Sequence, residues 1–127
     1  MIDTTNINQL WKDGGWRGAL TILLGSPNLS NDGRVWRHVD LDREEIHFTR
    51  ILKNGTFSSG DRTLIEIAAS LFNGDVKVNL WSAFGRLDDC NARLAMAAIN
   101  NFARLEVLES GLAKRIIENL KRNNLER

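Results

Sequence analysis

The chain has 127 residues, 43% of them apolar and 26% charged. That is the usage of an ordinary globular domain long enough to bury a core without covalent staples, and it argues against a disordered, collagen-like or membrane-embedded chain. Its 17 basic and 16 acidic side chains leave a formal charge of +1, so no overall field selects an acidic or basic partner.

Taken in chain order, Leu10 and Trp11 open a short helical piece, which Gly14-Gly15 separates from a helix over Trp16 to Leu24. The cluster Gly25-Ser26-Pro27-Asn28 ends that helix. Gly25 suits the position just past a helix, and Pro27 cannot continue one. Asn31-Asp32-Gly33 reads as a turn and Arg34 to Val39 as extended chain. Over 40–54 the pattern predicts a helix capped by Asp40 or Asp42. Glu44 and Glu45 would favour the positive end of its dipole, and Leu41, Phe48, Ile51 and Leu52 would share one face.

Ser58 and Asp61, three apart before an apolar run, resemble a capping box. The helix that follows carries Leu64, Ile65, Ile67, Ala68, Leu71 and Phe72 over more than half its circumference, which predicts that 60–73 is the most buried segment. Asn73-Gly74 stops it. Val76 and Val78 then alternate with polar residues in a short extended piece, and Asn79 caps a brief helix through Trp81 and Phe84. Asp88 caps a long helix whose small residues Ala95, Ala97 and Ala98 would let a neighbour approach closely. A last helix, about 106 to 122, presents Leu108, Leu112, Ile116 and Leu120, although Gly111 counts against an unbroken run. The expected fold is all-α, about five helices in one domain over 1–127, with room for one short β-ribbon.

The single cysteine, Cys90, cannot form an internal disulfide, and residues 1–10 have no basic then apolar leader pattern. Both features point to a reducing, cytoplasmic setting. The apolar stretch Ala19 to Leu24 is interrupted by Thr21 and falls far short of the roughly 20 residues a bilayer needs, so no membrane partner is expected.

The densest group of chemically capable side chains is His38, Asp40, Asp42, Glu44, Glu45 and His47. Imidazole and carboxylate together suit a divalent metal, and on a helix Glu44 and His47 would have the spacing of a di-iron pair. Such sites need two of these pairs plus further glutamates, and the chain has two histidines in all. The simpler account places the acids in a helix's first turn, so no metal ligand or cofactor is assigned. Arg34 with His38, and Arg43 with His47, are each four apart and would share helical faces. That spacing is shorter than the one helical RNases use, so a metal-dependent hydrolase or RNase is the least favoured reading. Neither a Gly-x-Ser-x-Gly elbow nor a glycine-rich phosphate loop occurs, and no catalytic residue is assigned.

Four tryptophans stand beside no tyrosine at all, and Trp11-Lys12, Trp16-Arg17 and Trp36-Arg37 each join an indole to a base. Such pairs anchor protein interfaces or stack on nucleobases, while the indoles at 11, 16 and 81 would otherwise fill core. The near-neutral charge disfavours nucleic acid. In the last third seven bases face four acids, and the apolar seam Leu105, Leu108, Leu112 and Ile116, interrupted by Arg115, suits a paired helix. The sequence therefore points to a small non-enzymatic interaction or regulatory protein. It would bind another protein, or itself as a homodimer, through Trp36, Arg37, Leu108, Leu112, Arg115 and Ile116. A nucleic-acid-binding regulator is the alternative.

Overall fold

The computed structural model describes residues 7–104 and Glu118. Helix makes up 69% of what is described, with a two-stranded antiparallel sheet, so the chain is mainly α with one short ribbon. In chain order the elements are α1 (Ile7–Leu10), α2 (Gly14–Gly25), α3 (Pro27–Ser30), α4 (Gly33–Trp36), β1 (Val39–Asp40), β2 (Glu45–Ile46), α5 (Phe48–Asn54), α6 (Ser59–Asn73), α7 (Leu80–Gly85) and α8 (Asp89–Ala103).

Short polar side chains set most of the helix starts by accepting backbone N–H groups that have no intrahelical partner. Asp13 accepts from the amide of Trp16 at 3.2 Å, Ser58 from Asp61 at 3.2 Å, Asn79 from Ser82 at 3.0 Å, and Asp88 from Asn91 at 2.7 Å. Ser26 serves two helices. Its backbone N–H closes α2 onto Ile22, and its hydroxyl accepts from Leu29 to open α3, with Pro27 in the first turn where a missing N–H costs nothing. Gly74 ends α6 at φ 78°, the left-handed region that glycine adopts without a Cβ penalty.

The most buried helix is α2 rather than α6. In α2, Gly15 to Leu20, Ile22 and Leu23 are all buried, and the helix packs against both α6 and α8. Its glycines permit this. A Cβ on Gly15 would overlap the carbonyl oxygen of Phe72 in α6, and one on Gly14 would stand 2.8 Å from the carbonyl oxygen of Phe102 in α8. These glycines therefore start α2 and set its packing distances, where the sequence suggested a break. On α8 the expected close approach holds for Ala95 and Ala98, both fully buried, whereas Ala97 is exposed. Three aromatics tie the middle together: the ring centroid of Phe72 lies 5.1 Å from that of Trp16 and 5.6 Å from that of Phe48, both edge-on.

The segment expected to be one helix over 40–54 is divided. Val39 pairs with Ile46 and Asp40 with Glu45 in a β-hairpin, and helix begins only at Phe48. Asp40 accepts the amide of Arg43 inside the turn, and Glu44 takes φ 58°, which reverses the chain. The acids placed in a helix's first turn belong to that hairpin. Arg34 to Val39, expected to be extended, is α4 for its first three residues, because Asp32 caps it through the Arg34 amide at 2.9 Å. Val76 and Val78 pack partly buried against the core outside any ladder.

Candidate interaction surface

Arg17 is 7% exposed, and its guanidinium is spent on backbone. Nε donates to the carbonyl of Asn101 at 2.6 Å and Nη2 to Phe102 at 3.1 Å, while Nη1 donates to Trp11 and Lys12, each at 2.9 Å. These carbonyls end α8 and follow α1, so the cation sits where orphaned acceptors and the negative end of a helix dipole gather. The network closes through Thr21, whose hydroxyl donates to the Arg17 carbonyl at 2.6 Å and accepts from the Asn101 side-chain Nδ2 at 2.9 Å. The Trp16-Arg17 pair is therefore structural, with Trp16 only 6% exposed.

Trp36 is half-buried, and its indole N–H donates to the carbonyl of Leu29 at 2.9 Å, which fixes the ring against α3. Arg37 is exposed, with Nε on the carbonyl of Gly33 at 3.3 Å. These two are the described members of the sequence-derived binding set. Leu108, Leu112, Arg115 and Ile116, with Leu105 and all of the helix expected over 106–122 except Glu118, lie outside the described residues.

The hairpin changes the chemistry expected of His38 to His47. Glu44 and His47 no longer share a helix. His47 donates its amide to the carbonyl of His38 at 3.0 Å, and its Nε2 stands 3.3 Å from Glu45. Asp42 and Glu44 are exposed on the turn, and among the described residues no three His, Cys, Asp or Glu side chains gather as a metal site would need. The helical Arg-His pairs are likewise replaced. Arg34 holds Asp32 at 2.7 Å, donates to the Thr56 carbonyl and stacks 4.4 Å from the Phe57 ring centroid, and Arg43 stands 3.8 Å from Asp40. The hydrogen bond from Arg34 is the main reason the Asp32 carboxyl is held below its usual range. Burial first, then the nearby Arg37, Arg50 and His47, hold the His38 imidazole below its ordinary value.

The brief helix expected after Asn79 is α7, and what the sequence does not reveal is how far its first turn stands out of the core. Ala83, 3% exposed, and half-buried Phe84 seat this helix on the core. Leu80 and Trp81, in its first turn, are 64% and 90% exposed. This exposure overturns the core-filling account of the indole at 81. The available signal was its position two residues past the Asn79 cap of a six-residue helix, too short to bury apolar groups on all sides. Beside α7, a cavity of about 230 Å³ is bordered by Thr63 and Glu66 of α6 and by Lys77, Asn79, Ser82 and Arg86. Among the described residues the ion pairs are Arg34–Asp32, Arg43–Asp40 and His47–Glu45, so the charges of Lys77, Arg86 and Asp89 are left without a partner there. No described helix is long and apolar enough to cross a membrane. No protein-family model, curated protein or solved structure matches the chain.

Proposed function

We propose that this protein acts by binding another protein, with Leu80 and Trp81 of α7 as the contact. The observation that carries the reading is the pair of adjacent large apolar side chains left 64% and 90% exposed on a helix that Ala83 and Phe84 seat on the core. Scattered apolar residues on a surface need no explanation, but tryptophan is among the side chains most enriched at binding hot spots, and Leu80 extends the apolar area beside it. Covering a tryptophan removes on the order of 200 Å² from water, a gross gain of about 4 kcal/mol before the costs of association. Leu80 favours protein over nucleic acid, because it offers apolar area and no ring on which a base would stack. Arg37, exposed on the α4 side, is a further candidate contact, and the role is that of a small non-enzymatic interaction or regulatory protein.

The test is a photoreactive amino acid at position 81, irradiated in the cells that make the protein. A covalent adduct with one discrete protein, lost when Leu80→Glu is introduced, supports the reading. Labelling that yields no protein adduct, or a smear unaffected by Leu80→Glu, overturns it.

A further inference from the structure

Resting on the reading that α7 binds protein, we infer that its occupant is α7 of a second copy of this chain, packed antiparallel about a two-fold axis. The argument is the order of charges and shapes along the helix. Lys77 precedes α7, the apolar pair Leu80 and Trp81 begins it, Gly85 and Arg86 end it, and Asp88 and Asp89 follow. All of these are exposed. Asp88 and Asp89 beyond one end of α7 are opposite in sign to Lys77 beyond the other, with Arg86 between, and an antiparallel copy brings Lys77 against the two acids.

With the axis near the middle of α7, Lys77 of one copy comes level with Asp88 and Asp89 of the other. Asp88 uses one carboxylate oxygen to cap Asn91, which leaves its second oxygen for the contact, and Asp89 has no ion-pair partner among the described residues. Trp81 comes level with Gly85 and Arg86 of the second copy. A guanidinium over an indole face is a favoured cation–π arrangement, and Arg86 makes no ion pair among the described residues. Gly85 supplies the room. A Cβ there would meet nothing within 4 Å among the described residues, so the surface over Gly85 is open. Two-fold symmetry makes every one of these contacts occur twice.

Sedimentation equilibrium or light scattering on the whole chain at micromolar concentration tests this. The expected mass is near twice 14.4 kDa. Trp81→Glu and Gly85→Arg should each give monomer with unchanged helix content by circular dichroism, since both positions are exposed in the single chain. Lys77→Asp should weaken the dimer, and Lys77→Asp combined with Asp89→Lys should restore it, which a merely structural effect would not do. A dimer indifferent to Trp81→Glu and Gly85→Arg overturns the inference, as does a charge swap without rescue. A strict monomer also overturns it, and if the photoreactive residue at 81 still captures a different protein, the broader reading survives alone.

Discussion

Gly15, in the first turn of α2, lies directly against the carbonyl oxygen of Phe72 near the end of α6, so close that a single added methyl would overlap it. Phe72 is in the last turn of α6, where carbonyls have no intrahelical donor, so the contact joins two helix ends rather than two helix flanks. Gly15→Ala should destabilise the fold by about 1–3 kcal/mol, the usual cost of forcing extra volume into a filled site. Gly33→Ala should be neutral or stabilise by about 0.5–1 kcal/mol, because α4 has open space there among the described residues and alanine is the better helix former. Urea denaturation of the two variants side by side checks the contrast, and equal effects would refute it.

Arg17→Met removes four hydrogen bonds while keeping much of the side-chain volume. The carbonyls of Trp11, Lys12, Asn101 and Phe102 lose their donor. The expected loss is on the order of 3 kcal/mol, since an orphaned buried acceptor costs roughly 1–3 kcal/mol and water restores part of the set. Arg17→Lys should recover little, because an ammonium cannot reproduce the planar fork that reaches two chain segments at once. Full rescue by lysine in a thermal melt would show that charge alone suffices.

Leu20 in α2 and Ile67 in α6 are 1% and 5% exposed. Leu20→Ala should cost about 3–5 kcal/mol and Ile67→Ala about 2–4 kcal/mol, through lost transfer energy and the cavity each leaves. If Ile67→Ala proves the more damaging, α6 rather than α2 is the centre of the core.

His38 supplies a pH dependence. Its imidazole is held down in the folded state by burial, then by Arg37, Arg50 and His47, whereas the unfolded side chain titrates near pH 6.5. Between the two values the unfolded chain binds more protons, so stability rises with pH across that window and falls as pH drops below about 6.5. His38→Gln should flatten this part of a stability-versus-pH curve measured by chemical denaturation. Asp32, held low chiefly by its hydrogen bond from Arg34, contributes in the same direction at lower pH, where its carboxylate becomes protonated.

What could be read from the sequence was mostly what is decided within three residues of chain. The caps Ser58, Asn79 and Asp88 and the stop at Gly74 are local hydrogen bonds and local backbone freedom, and residue type reveals them. The hairpin over 39–46 was hidden because its reversal uses Glu44 in a left-handed conformation, a place where glycine or asparagine would have been the signal, and because acids beside an apolar stripe mimic a helix start. The centrality of α2 was hidden too, since glycines that admit neighbouring helices look the same in sequence as glycines that break one. Trp81 shows the same limit on the surface: an indole is the same letter whether it fills a core or stands exposed.

The Arg17 fork has a consequence for how the protein is made. Two of its four acceptors, Asn101 and Phe102, lie more than 80 residues downstream, so during synthesis α2 emerges from the ribosome long before the groups that would solvate its cation in the folded state. Until then, burying the guanidinium would strip it of water with only Trp11 and Lys12 to replace it, a desolvation cost that opposes early docking of α2. Its glycine-lined faces, which also need α6 and α8, have nothing to close upon. The centre of this fold is therefore committed late, and a ribosome stalled before residue 101 would carry a chain whose most apolar helix is still open to chaperones.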